Sequence, residues 1–223
     1  MINSLEVDSV SKSYRNNIIL SDIYLSCKTN EIIGLFGRNG SGKSTLLKII
    51  FGTTKAENKC VRINGIINEY PYKILDGISY LNQDNFIPKY LTVVNLIKLS
   101  ICKNLIKTFI DDDLIRNNIK KKISDLSGGE LKYLSVKIIL YNKSKFCLLD
   151  EPYSGVSPLI VERINNLIIS QSKFKGIIIT DHNFESLLKI VNKFYLLKNG
   201  ICYHLINKEE LVKHQYISID KLK

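Results

Sequence analysis

Gly37, Arg38, Asn39, Gly40, Ser41, Gly42, Lys43, Ser44 and Thr45 stand in a row, and their types and spacing are suited to holding phosphate. The run fits the phosphate-loop pattern G-x-x-x-x-G-K-[ST]. Glycines let the backbone turn sharply and aim several N–H groups at one small volume. Lys43 adds a point charge for the β- and γ-phosphates, and the Ser44 hydroxyl is a ligand for Mg²⁺. The flanks suit the motif. Residues 31–36 are apolar enough for a short buried strand, and residues 45–51 read as a helix ended by Gly52. A helix starting there turns the positive end of its dipole toward an anion.

Two further clusters carry chemistry. Asp150 and Glu151 follow the apolar run 146–149. A carboxylate at such a strand end can hold Mg²⁺, and the next acid can polarise an attacking water. An exposed acidic turn is the plain alternative. Leu126, Ser127, Gly128, Gly129 and Glu130 open a helical stretch at 128–141. Ser127 with Glu130 three residues on is a capping box. The same hydroxyl, two glycines and helix N-terminus also form a second anion site.

The elements that must position these groups follow from periodicity. Residues 1–30 alternate apolar and polar, as in antiparallel strands with a turn at Arg15, Asn16 and Asn17. Asn64-Gly65 and Asn199-Gly200 lie between apolar pairs and suit tight hairpins. Residues 77–82, 146–149 and 176–180 read as strands. Helical patterns occupy 85–125, 128–141, 159–170 and 184–191. Alternating strands and helices imply a largely parallel sheet covered by helices, with ligands at the carboxyl ends of the strands. Gly37, Gln83, Asp150 and Asp181-His182 each follow a strand, so one sheet edge would gather them.

Composition narrows the class. The chain has 223 residues, 45% of them hydrophobic, which suits one large α/β domain or a core with a small inserted lobe. No apolar run approaches the roughly 18 residues of a membrane span, and residues 1–8 lack the basic and apolar regions of a signal peptide. The five cysteines are scattered without a C-x-x-C pair, as expected of reduced structural thiols. The net charge of +11 is spread along the chain, Lys120–Lys122 being its only dense run, next to a helix start. Without basic residues interleaved with aromatics, nucleic acid is not an expected partner. His204 and His214 read as surface residues.

With the 126–130 run in view, the chain resembles the ATP-binding subunits of ATP-binding cassette (ABC) transporters over essentially its whole length. The motifs stand in family order: an aromatic at Tyr14, the phosphate loop at 37–45, Gln83, the signature at 126–130, the strand ending at Asp150, then Glu151 and His182. The wording of residues 151–158 and 180–183 is similar to the cassettes of lipopolysaccharide export and branched-chain amino-acid uptake. The resemblance implies an α/β fold: a P-loop NTPase core with a mostly parallel sheet, an antiparallel β-subdomain, and a helical subdomain at about 85–128, all within one domain spanning 1–223. It implies ATP and Mg²⁺ as cofactors and ATP hydrolysis as the activity. Glu151, His182 and Gln83 would be catalytic. Ser44, Gln83 and Asp150 would hold the metal. ATP would be bound by Tyr14, Gly37, Asn39, Gly40, Ser41, Gly42, Lys43, Ser44 and Thr45, with Ser127, Gly128 and Gly129 reaching it from a second cassette in a head-to-tail dimer. Tyr14 would stack on adenine, although as one of twelve tyrosines it has packing as its alternative.

The implied partners are separate transmembrane subunits and a second cassette, identical or related. The implied location is cytoplasmic, on the inner face of the plasma membrane. Competing readings are a cassette ATPase acting on nucleic acid or ribosomes, and a nucleotide sensor that does not hydrolyse. The first usually carries two cassettes or a coiled-coil insert, and the second is opposed by Lys43, Glu151 and His182. The chain departs from the family twice. Ser157 stands where many members have Asp, and the insert between Gln83 and Ser127 is short.

Overall fold

The computed structural model describes residues 2–15, 17–83 and 87–222. Strands β1 (Ser4–Tyr14) and β2 (Asn17–Lys28) pair antiparallel, with Tyr14 opposite Asn17. Of the expected turn between them, Asn16 lies outside the described residues, as does residue 85 at the expected start of the helical stretch. Strand β3 (Ile32–Phe36) leads into the 37–42 loop and helix α1 (Lys43–Phe51), which ends at Gly52. Strands β4 (Asn58–Ile63) and β5 (Ile66–Ile67) form a hairpin. Asn64 (φ +52°) and Gly65 (φ +79°) both take the left-handed conformation that a tight hairpin turn demands.

The second half alternates. After β6 (Ile78–Leu81) come three short helices, α2 (Val93–Ser100), α3 (Lys103–Ile110) and α4 (Asp113–Asn118). Thr92 and Asp112 cap α2 and α4 with side-chain oxygens. Then follow α5 (Gly128–Tyr141), β7 (Phe146–Asp150), α6 (Pro158–Ser172), β8 (Gly176–Thr180) and α7 (Phe184–Leu188). The β9 (Lys193–Lys198) and β10 (Ile201–Leu205) hairpin and the short helix α8 (Glu210–Lys213) complete the order.

These strands make two sheets: an antiparallel one in the order β2-β1-β4-β5, and one in the order β10-β9-β3-β8-β7-β6. In the second, β9, β3, β8, β7 and β6 run parallel and β10 is an antiparallel edge. Strand period two divides its side chains between two cores. Ile33, Leu35, Phe146, Leu148 and Ile178 face α1 and the antiparallel sheet. Ile32, Phe36, Cys147, Leu149, Ile177 and Ile179 face α5, α6 and the three short helices. Burial on both faces explains why these strands read as unbroken apolar runs. Each fully buried Leu or Ile contributes about 1.5–3 kcal/mol.

The architecture is therefore the expected one, with local differences. Helix α7 ends at Leu188, short of 191. Lys120–Lys122 meet a single 3₁₀ turn at Ile123–Asp125, with α5 starting only after it. All five cysteines are free thiols, two of them buried. His204 is exposed, with its ring on Tyr195. His214 is half-buried against Tyr203 and lines a cavity beside the phosphate loop, so it is not simply a surface residue.

Candidate functional site

The carboxyl ends of β3, β8, β7 and β6 lie at one edge, and the loops leaving them build the site. At Gly42 (φ +101°), where α1 begins, an added Cβ would come 2.8 Å from Ile19 Cγ2, so the turn requires glycine. Lys43 is 7% exposed, and its Nζ donates to the carbonyls of Gly37 (2.7 Å) and Arg38 (3.1 Å). Burial pushes its pKa down, against the charges of Glu151 and Asp150.

Ser44 Oγ donates to Asp150 Oδ1 at 3.0 Å, and the Tyr80 hydroxyl donates to Oδ2 at 2.8 Å. Asp150 is 1% exposed. Burial pushes its carboxyl above the ordinary range and the Glu151 charge adds to that, while the bonds from Tyr80 and Ser44 oppose it. A nearby cation would relieve a buried carboxylate of this kind. A hydroxyl and a carboxylate oxygen held together are hard donors and fit Mg²⁺, which keeps most of its shell for water and phosphate. Among the described residues no cluster of three or more His, Cys, Asp or Glu offers an all-protein metal cage.

Glu151 takes a left-handed backbone (φ +52°), rare for a side chain of this size. Its N–H donates to Thr180 O at 2.8 Å, and its carboxylate is held from two sides: His182 Nε2 reaches Oε1 at 2.8 Å and Gln83 Nε2 reaches Oε2 at 3.0 Å. The Asp181 carboxylate accepts from the backbone N–H groups of Tyr153 and Asn183, tying the loop after β7 to the loop after β8. Burial pushes the Asp181 carboxyl up.

A cleft of about 390 Å³ is lined by Tyr14, Ile19, Asn39, Gly40, Gly42, Lys43, Ser44, Thr45, Gln83, Glu151 and His182. Tyr14 stands on its rim, 51% exposed, with Lys12 Nζ 4.8 Å from its ring centroid. Gly37 and Ser41 belong to the same loop. An added Cβ at Gly37 would sit 2.6 Å from Ser41 Oγ, and the Ser41 N–H donates to Arg38 O. Asp150 lies behind Ser44.

Ser127, Gly128 and Gly129 do not line this cleft. They open α5, where the capping box is complete: Ser127 Oγ accepts from Glu130 N, and Glu130 Oε2 accepts from Ser127 N. Glu130 Oε1 accepts from the buried Asn118 amide at 2.9 Å. These bonds, led by that from the Ser127 backbone, hold the Glu130 carboxyl below its usual range. An added Cβ at Gly128 would meet nothing within 4 Å, and at Gly129 only Ile160 at 3.9 Å. Nothing among the described residues requires glycine there. The sequence places Asp181 at this edge by its position after a strand, but its tie to Tyr153 is not legible there. Motif reading misses Tyr80 and Asn118, whose partners Asp150 and Glu130 lie outside any local pattern.

A family model described as "ABC transporter" matches residues 20–154. The chain is 34% identical to the lipopolysaccharide export system ATP-binding protein LptB of Haemophilus influenzae, over 88% of this chain and 87% of that protein. It is 33% identical to the probable branched-chain amino acid transport ATP-binding protein LivF of Archaeoglobus fulgidus, over 95% of each. Among solved structures, an ATP-binding subunit of an ABC transporter superposes with a TM-score of 0.83 at 21% identity, covering 98% of this chain and 97% of that one, which speaks to the fold alone. With the phosphate loop, the acidic strand end and the signature in this geometry, the chain belongs to the ABC transporter family as an ATP-binding, ATP-hydrolysing subunit.

Proposed function

We propose that this chain, as one domain over 1–223 with a helical subdomain at about 85–128, powers a membrane transporter through ATP-driven head-to-tail pairing of two cassettes. The observation that carries the proposal is the open space over Gly128 and Gly129. Two glycines in the first turn of a helix are unfavourable by up to about 1 kcal/mol each relative to Ala. No neighbour among the described residues compensates. Close approach of a phosphate held by another copy does, and the Ser127 hydroxyl at the same helix end can donate to it.

Within one cleft the roles divide by chemistry. Lys43 and the N-terminal amides of α1 hold the phosphates, and Tyr14 stacks on adenine. Glu151 accepts the proton of the attacking water, with its carboxylate aimed by His182 and Gln83. Ser44 and Asp150, with Gln83, would hold Mg²⁺, which would supply positive charge against the phosphates.

The membrane subunits are separate chains, and the protein works at the cytoplasmic face of the plasma membrane. No helix among the described residues is long and apolar enough to cross a bilayer. A groove of about 320 Å³ between β6, α2 and α5, with Leu81, Ile87, Pro88, Leu96 and Ile138 in its walls, supports docking of a membrane subunit there. Two relatives of nearly equal identity carry names for different cargoes, so cargo choice is assigned to the membrane subunits.

Sedimentation tests the pairing. Glu151→Gln is expected to run as a dimer with Mg-ATP and as a monomer without nucleotide. Ser127→Arg should prevent that dimer and leave ATP binding by the monomer nearly intact. A dimer equally stable without ATP counts against the mechanism.

A further inference from the structure

We infer that Tyr216, near the C-terminal end of the chain, is a positioning residue for the phosphate loop. The inference rests on the reading of the cleft as the nucleotide site. The inner side of the loop is tied by Lys43 to the carbonyls of Gly37 and Arg38. Its outer side meets the segment after β10. The Tyr216 ring stands edge-on to Phe36, with centroids 5.9 Å apart and planes at 65°. Phe36 is the last residue of β3, 1% exposed and stacked on Phe194. Tyr216 also lies between two cavities on the outer flank of the loop, one of about 500 Å³ and one of about 340 Å³. Both share Arg38, Asn39 and Tyr216 in their walls. One ring thus stands in the wall of both spaces that flank the loop.

The segment that carries Tyr216 is itself fixed. Leu205, Leu211 and Ile217 are buried in the core that also holds Phe36. The Tyr216 N–H donates to Leu211 O at 2.9 Å, and Lys198 Nζ donates to His214 O at 2.9 Å. Gln215 reverses the chain in a left-handed conformation (φ +58°), which presents Tyr216 to the loop. Burial pushes the Tyr216 phenol up, against the Gly37 backbone and the Arg38 charge, which favour the phenolate. The ring is therefore held from the core side by anchors that do not depend on it. Residues 37–39 are braced by a side chain outside the 20–154 stretch that matches the family model.

A brace of this kind acts on binding. The loop amides must be in place before phosphate arrives, and loop freedom appears as lost affinity. The experiment uses the full chain: titration with a fluorescent ATP analogue, steady-state ATPase and thermal unfolding, for wild type and for Tyr216→Ala, Tyr216→Phe and Tyr216→Leu. Tyr216→Ala is expected to raise Kd and KM for nucleotide roughly ten-fold, with kcat changed by less than about two-fold. Tyr216→Phe keeps the ring but loses the hydroxyl that meets the Gly37 backbone, and should recover most of both constants. Tyr216→Leu keeps apolar bulk without the flat ring and should fall between, and it stands in should the Ala variant fold poorly. A Tm that falls with Kd and KM unchanged would make Tyr216 a packing residue only and overturn the proposal. Wild type binding the analogue normally, with all three variants equal to it, overturns this proposal alone. Wild type that does not bind the analogue overturns the reading of the cleft and this inference with it.

Discussion

The His182 ring and the Glu151 carboxylate meet at 2.8 Å, and the other oxygen of that carboxylate accepts from Gln83 at 3.0 Å. Two side chains from two separate loops thus converge on one acid, which stands on a third. Its backbone is already held in an unfavourable left-handed conformation that costs about 1–3 kcal/mol. Such strain persists only where surrounding bonds enforce it. If His182 aims Glu151, His182→Ala lowers kcat by roughly ten- to a hundred-fold with little change in KM. Gln83→Ala gives a smaller loss, and the double variant loses less than the product of the two. Independent, multiplicative losses would show that the two groups do not act through Glu151.

Lys43 and Glu151 separate binding from turnover. Lys43→Ala removes the cation aimed at the phosphates and should weaken nucleotide binding at least roughly ten-fold, with turnover lost as well. Glu151→Gln keeps size and hydrogen bonding but removes the base, so it should bind Mg-ATP and hydrolyse it very slowly. Titration beside single-turnover hydrolysis distinguishes the two. Wild-type turnover by Glu151→Gln would remove Glu151 from the catalytic role.

Gly129→Ala sets stability against function. No neighbour among the described residues is close enough to clash with the added methyl, and a helix gains up to about 1 kcal/mol from the change. The isolated chain should melt higher by up to a few degrees. ATP-driven dimerisation and ATPase activity should fall, because the methyl occupies the space reserved for a phosphate or the facing chain. Raised Tm with unchanged ATPase would remove the reason given for these glycines.

Ser157 caps α6, yet its side chain makes no capping hydrogen bond. A carboxylate there would complement the helix dipole, and charge-assisted bonds are roughly twice as strong as neutral ones. Coupling between paired ATP sites should therefore be weak in this chain, and Ser157→Asp should raise the Hill coefficient of the ATPase. The same change is expected to stabilise the monomer by up to about 1 kcal/mol, so Tm is measured alongside. Strong wild-type cooperativity that the substitution leaves unchanged would show that other groups link the sites.

Acid should loosen the ties of the helical segment. Burial pushes the Asp112 carboxyl up, but hydrogen bonds from Lys137 and Tyr133 and the Lys137 charge outweigh it and hold its pKa below the usual value of 3.8. Asp113, bonded through both oxygens to Arg163 on α6, falls to about 2. Folded pKa values below unfolded ones mean stability that is fully present above about pH 4 and lost as pH falls through the folded values. Asp112→Asn should therefore lower stability at neutral pH and flatten its decline below about pH 4. Circular dichroism and hydrogen exchange in α4 and α5 against pH check this. An unaltered acid profile would exclude Asp112.

Local signals carried most of the elements and the order of the motifs. Asn64-Gly65 and Asn199-Gly200 formed hairpins because both positions of each turn are left-handed, a conformation that Asn and Gly tolerate. The signature opened α5 at Gly128 because the capping box is complete within four residues. Helix α7 stopped short of its apolar pattern, because Leu187 and Ile190 are buried whether or not the helix continues.

By itself, the sequence determined the phosphate loop, the acid pair, the signature and the alternation of strand and helix. Each of these is written in neighbouring residues whose backbone preferences and side-chain periodicity act locally. Only the tertiary structure decided which strands meet. Strand β3 lies between β8 and β9, so the loop at Gly37 comes beside His182 and Glu151. It alone divided one sheet between two cores, joined Arg163 to Asp113 and Asn118 to Glu130, and set Tyr216 against Phe36. Those contacts depend on burial and packing between segments far apart in the chain, and no local pattern of residues specifies its distant partner.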